Sequence, residues 1–173
     1  MYLITLYFDE KTNKELHKWI TMVAQETGNE FMTENQVPPH MTLGAFEAPD
    51  EETAKRLFQE MTFPAAGEVQ LVSVGSFMPQ VLYVSAVYSE YLHTLAVEVD
   101  RVLSGDSSVQ IRPNYRPFSW LPHVTIGKQL TGEALAQAFA VMQRSFHVWK
   151  GSVVRIGLSK TNPYRDLGIR NFS

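Results

Sequence analysis

Two histidines of the chain repeat their surroundings. Pro39-His40-Met41-Thr42-Leu43-Gly44 and Pro122-His123-Val124-Thr125-Ile126-Gly127 agree at four of six positions, 83 residues apart. The other two positions exchange one apolar residue for another. In extended backbone, side chains alternate faces, so each His shares a face with the Thr two residues on. Met41, Leu43, Val124 and Ile126 then point to the opposite face, into a core. Two such pairs brought together make a pocket with two imidazoles and two hydroxyls. Imidazole titrates near pH ~6.5, so one ring accepts a proton while the other delivers one. Hydroxyls donate hydrogen bonds to phosphoryl oxygens. The set suits in-line phosphodiester chemistry without a metal. Neither motif holds an Asp, Glu or second His at ligand spacing, so no metal and no cofactor are expected.

The other chemistry-bearing residues are sparser. The chain has 173 residues and no cysteine, which removes thiolate nucleophiles, disulfides and cysteine zinc sites. His17 and His93 lie in helical patterns and read as helix-face residues, and His147 sits near a strand start. The net charge of −3 is uneven: residues 1–86 carry 5 Lys/Arg against 12 Asp/Glu, and residues 87–173 carry 10 against 6. An acidic protein does not adhere broadly to nucleic acid, but a local phosphate site in the basic half is compatible with this balance. Lys160, Arg165 and Arg170 follow the last strand patterns and read as solvated charges.

These histidines need strands to hold them. Tyr2–Phe8 is β-branched and aromatic, hence a strand; it is too short for a signal peptide or membrane span, so a cytoplasmic protein with no membrane contact is expected. Leu16, Trp19, Ile20 and Val23 recur at helical spacing over 12–26, and Gly28 ends that helix. His40–Phe46 is a strand, and 51–61 a helix with Ala54, Leu57, Phe58 and Met61 inward. Val69–Phe77 and Val81–Val87 flank Met78-Pro79-Gln80 as a hairpin. A helix over 89–104, a strand over Pro122–Lys128 and a helix over Gly132–Arg144 follow. Strands near Val148–Ser159 and Leu167–Phe172 close the chain. Hairpins weigh against a parallel sheet, so an α+β fold with antiparallel pairing is expected.

The paired motif resembles the two-histidine (2H) phosphoesterase superfamily, in its bacterial 2′-5′ RNA ligase and RNA 2′,3′-cyclic phosphodiesterase branch. The likeness spans essentially the whole chain. Gly75-Ser76-Phe77 with Val81-Leu82-Tyr83-Val84 is similar to that family's middle hairpin. Arg116-Pro117-Phe118 ahead of Pro122-His123 is similar to its Arg-x-Phe-x-Pro-His segment, with two extra residues drawn from Ser119-Trp120-Leu121. Lys128, five after His123, stands where relatives often carry Arg.

The resemblance implies one bilobal domain over residues 1–173. Its two pseudo-symmetric lobes, each an antiparallel sheet with helices on its outer face, would enclose a central cleft. It implies a metal-independent phosphoesterase that hydrolyses 2′,3′-cyclic phosphates of RNA 3′ ends or small nucleotides to 2′-phosphates. His123 would be the base and His40 the acid, with Thr42 and Thr125 as hydroxyl donors. Lys128 and Arg116 would balance phosphate charge, and Phe118 and Trp120 would stack a base or pack. Tyr83 reads as packing, and Tyr7 depends on strand register. No obligate protein partner is implied. Two alternatives stand beside this: ATP-independent 2′-5′ RNA ligation at the same site, and RNA-end binding without turnover.

Overall fold

Capping chemistry and apolar period decide where the helices lie. The computed structural model describes residues 1–172. Its helices are α1 (Glu10–Thr27), a short α2 (Phe31–Glu34), α3 (Glu51–Glu60), α4 (Glu90–Ser104) and α5 (Gly132–Ser145). Asp9, Asp50, Ser89 and Thr131 precede the four longer ones, and each side-chain oxygen accepts from the backbone N–H three residues on. Gly28, at φ 66°, ends α1 in the left-handed conformation that lacks a penalty only for glycine. The apolar faces read from sequence are buried, including Leu16, Trp19, Leu57 and Leu95. No described helix is long and apolar enough to cross a membrane.

The strands are β1 (Tyr2–Phe8), β2 (His40–Glu47), β3 (Gly67–Phe77), β4 (Val81–Ala86), β5 (Gln110–Ile111), β6 (His123–Gly127), β7 (Trp149–Lys160) and β8 (Arg165–Asn171). Every pairing is antiparallel, so the expected α+β class holds. The order is β1-β2-β6-β4-β3-β7-β8, with β5 on β2 and β1 also paired to β7. The hydrogen-bonded path therefore returns on itself through β7. The two halves are joined into one sheet, and the two motif strands meet at Met41 and Val124. Three short pieces carry no periodic signal in the sequence: α2, β5 and a 3₁₀ turn at Pro113–Tyr115.

The repeat extends into the pairing. Along β1 and β2, Ile4 faces Gly44 and the next residue, Thr5, faces Thr42, so Leu43 bulges out of register. Along β4 and β6, Leu82 faces Gly127 and Tyr83 faces Thr125, so Ile126 bulges at the corresponding place. Both bulged residues are fully buried. The motif glycines that follow also have matching jobs. A Cβ on Gly44 would stand 2.8 Å from Val99 Cγ1 of α4, and one on Gly127 3.3 Å from Val23 Cγ1 of α1. Each glycine lets a helix lie directly on a motif strand.

Gly44→Ala is expected to destabilise the fold by about 1–3 kcal/mol, because stiff β-branched Val99 cannot rotate away from the added methyl. Urea unfolding checks it, with a lowered midpoint at unchanged slope as the result.

Candidate active site

His40 opens β2 and His123 opens β6, and both line one cavity of about 420 Å³. Their rings are anchored identically. Nδ1 of His40 lies 2.8 Å from the Pro38 carbonyl, and Nδ1 of His123 lies 2.8 Å from the Leu121 carbonyl. A carbonyl only accepts, so Nδ1 carries the proton in both rings and Nε2 is left for chemistry. The proline between acceptor and His fixes φ and keeps the preceding residue extended, which presets this geometry.

Both imidazoles are held below their ordinary pKa. For His40 the main cause is burial, and the Lys128 ammonium adds to it; the Pro38 hydrogen bond and Asp166 pull the other way. For His123 burial again leads, with His40 as a like charge, against the Leu121 hydrogen bond. Aromatic rings brace them. Phe77 meets His123 edge-on at 4.7 Å and Tyr83 does so at 5.4 Å, while Tyr7 stands 6.4 Å from His40.

Thr125 and Lys128 line the same cavity as the histidines. Thr42 lies more deeply, 9% exposed, two residues after His40 on β2. The remaining expected ligand contacts are corrected by their surroundings. Arg116 turns away to Asp100 of α4 at 2.9 Å and to Ser104, so its charge is spent on the surface. Trp120 is 6% exposed, and its indole N–H donates to the Thr42 carbonyl at 3.0 Å, which leaves no face for a base. It stands three residues before His123, the place of Phe in the Arg-x-Phe-x-Pro-His pattern. The two extra residues therefore push Phe118 outward: it is 84% exposed, at φ 63°, against His93 rather than in the cavity.

Sequence reasoning missed a wall of the cavity. Phe31, Met32, Asn35 and Val37 reach it from α2 and the segment after it, and Asn114 and Tyr115 from the 3₁₀ turn. Four-residue and three-residue helices show no period, so no signal was present to find them. Lys128 stands over the Phe31 ring at 5.7 Å, linking this wall to the motif strand. Among the described residues, no three His, Asp or Glu side chains gather as a metal site. The arrangement offers two proton-transfer atoms, a hydroxyl and an ammonium around a space sized for a nucleotide.

A family model described as the 2′-5′ RNA ligase superfamily matches residues 12–165. No curated protein matches the chain in sequence. Among solved structures, one described as a phosphoesterase superposes with a TM-score of 0.69 at 16% identity, covering 99% of this chain and 97% of that one. E. coli LigT complexed with 3′-AMP gives 0.68 at 15% identity, with the same coverages. TT0787 of Thermus thermophilus gives 0.60 at 19% identity, again covering 99% and 97%.

Trp120→Phe keeps the ring and removes the donor to the buried Thr42 carbonyl. A loss of about 1–3 kcal/mol is expected by thermal or urea unfolding, the cost of an unsatisfied buried acceptor.

Proposed function

The chain belongs to the 2′-5′ RNA ligase superfamily, and from that premise we propose that it is a phosphoesterase opening 2′,3′-cyclic phosphates on RNA 3′ ends or small nucleotides. The observation that carries this reading is the pair of Nδ1-anchored imidazoles on one cavity with Thr125 and Lys128. Anchoring leaves each ring a single reactive nitrogen, which acid–base catalysis on a phosphate between them requires. The LigT complexes with 3′-AMP and with ATP support nucleotide-sized ligands for this cavity.

In the proposed reaction, His123 Nε2 takes a proton from water as its oxygen bonds to phosphorus. The bond from phosphorus to the ribose 3′-oxygen breaks, and His40 delivers its Nε2 proton to that oxygen. The product is a 2′-phosphate. Thr125 and Thr42 donate hydrogen bonds to the phosphoryl oxygens, and Lys128 balances their charge. Nothing in this sequence of steps calls on a metal. With a ribose 5′-hydroxyl in place of water, the same steps would join RNA ends through a 2′-5′ bond.

A panel of nucleoside 2′,3′-cyclic phosphates with product-isomer analysis tests the proposal. Turnover to 2′-phosphates is expected, and His40→Ala and His123→Ala should each lower it by about 10²-fold or more. Formation of a 2′-5′ bond only, in the presence of an added 5′-hydroxyl oligonucleotide, would assign the chain to ligation. Binding without either product would overturn both readings.

The pH profile adds a second expectation. Because both imidazoles are shifted down in the protein alone, the bell of kcat/KM should centre on the acid side of about pH 6.5. Lys128→Ala removes a cation that disfavours protonated His40, so the limb belonging to His40 should move to higher pH. A limb that stays in place would remove Lys128 from the electrostatics of the pair.

A further inference from the structure

A row of side chains runs sideways from His40 across the sheet. His40 on β2 pairs with Tyr7 on β1, and Tyr7 pairs with Arg155 on β7. Directly opposed residues of antiparallel strands share a face, so Arg155 lies on the same face as His40. Two strand spacings of about 4.8 Å put their Cα atoms about 10 Å apart, within reach of an arginine side chain and one nucleotide of backbone.

Among the described residues, Arg155 is the arginine that lacks an acceptor. Arg56, Arg101, Arg112, Arg116, Arg144 and Arg165 each pair with a carboxylate, and Arg170 donates to the Phe58 and Met61 carbonyls. Arg155 is a half-buried residue, and among the described residues its guanidinium has only the Tyr7 ring, 5.4 Å from its carbon. That ring is itself fixed. Tyr164 donates to Asp166 at 2.8 Å, so the Tyr7 hydroxyl, 3.1 Å away, donates to Tyr164. Gly157 leaves the space, since a Cβ there would stand 2.9 Å from Tyr7 Cε2. A buried tyrosine is pinned so that one face supports an unpaired cation beside the catalytic row.

The other half of the sheet lacks this device. His123 pairs with Ser85 and Ser85 with Ser73, so Ser73 occupies the position matching Arg155. The two serine hydroxyls bond each other at 2.6 Å, a neutral and satisfied arrangement. At this matched pair of positions the pseudo-symmetry is broken by a charge, and that charge sits on the His40 side.

We infer that Arg155 is a subsite for a backbone phosphate, the one on the 5′ side of the terminal nucleoside. The substrate class is then an oligoribonucleotide whose chain leaves the reacting phosphate across the His40 half. This rests on the phosphoesterase reading for the reaction, though the anion subsite is measurable without turnover. A guanidinium fork suits a phosphate's paired oxygens, and Tyr7 limits the freedom lost on binding.

Two substrates separate the possibilities: a nucleoside 2′,3′-cyclic phosphate lacking a 5′-phosphate, and a dinucleotide ending in the same cyclic phosphate. The wild-type protein should prefer the dinucleotide in kcat/KM. Arg155→Gln should cut that preference about tenfold, chiefly through KM, and Arg155→Lys should fall between. Equal losses on both substrates, or no loss on either, would overturn the subsite. Fluorescence anisotropy with a labelled oligoribonucleotide bearing a 3′-phosphate gives an independent reading. Its Kd should rise about tenfold in Arg155→Gln and depend less steeply on salt; an unchanged Kd overturns the inference. Absence of turnover by the wild type would instead count against the phosphoesterase reading, with the anisotropy result still deciding Arg155.

Discussion

The site depends on a backbone carbonyl two residues before each histidine. Pro38 and Leu121 supply it, and proline follows each of them. A single hydrogen bond sets tautomer and ring direction together, so both imidazoles reach the cavity with the same nitrogen free. Because the acceptor is main chain, it cannot titrate away or rotate out of place. Everything else in the fold serves to bring two copies of this small device face to face. The β2–β6 pairing at Met41 and Val124 does so directly, and the matching bulges at Leu43 and Ile126 give both strands the same local bend.

Around this symmetric centre the surroundings diverge, and the divergence gives the site a polarity. His123 is braced by the partly exposed pair Phe77 and Tyr83, whose rings lie 4.4 Å apart. His40 is braced by buried Tyr7, which carries a cation on its far side. An aromatic edge on one side and a fixed charge on the other suit a ligand with a base at one end and a phosphate chain at the other. The strand scaffold is thus a repeat, while the proposed substrate direction would come from residues that do not repeat.

The strands and long helices were legible because each buries a face at its own period. The histidine pair was legible because its context repeats, proline and glycine included. The glycine's reason, a helix lying on the strand, needs the tertiary packing of Val99 and Val23. The errors came from one loop. The resemblance placed Arg116 and Phe118 at the site, but the two extra residues let Trp120 take the buried position and its hydrogen bond. Arg116 then found Asp100, a partner 16 residues away on α4 that no local pattern announces. Arg155 was invisible for the opposite reason: it is marked by the absence of a partner among the described residues, which no sequence pattern announces.

The electrostatics show why burial does not defeat an acid–base pair. A cavity that desolvates both rings favours two neutral imidazoles, and Lys128 strengthens that preference at His40. Acid catalysis nevertheless needs one ring protonated. In the proposed reaction an anionic phosphate between the rings would supply the missing opposite charge, raising the pKa of whichever ring it approaches more closely, with Lys128 as the phosphate's own counter-charge. Asp166, whose charge already favours protonated His40, tilts that choice toward His40. In the proposed reaction one proton arrives at His123 as another leaves His40, and the substrate's own charge would serve to keep that second proton on His40 beforehand. The fold's contribution is to keep both Nε2 atoms free until that charge arrives.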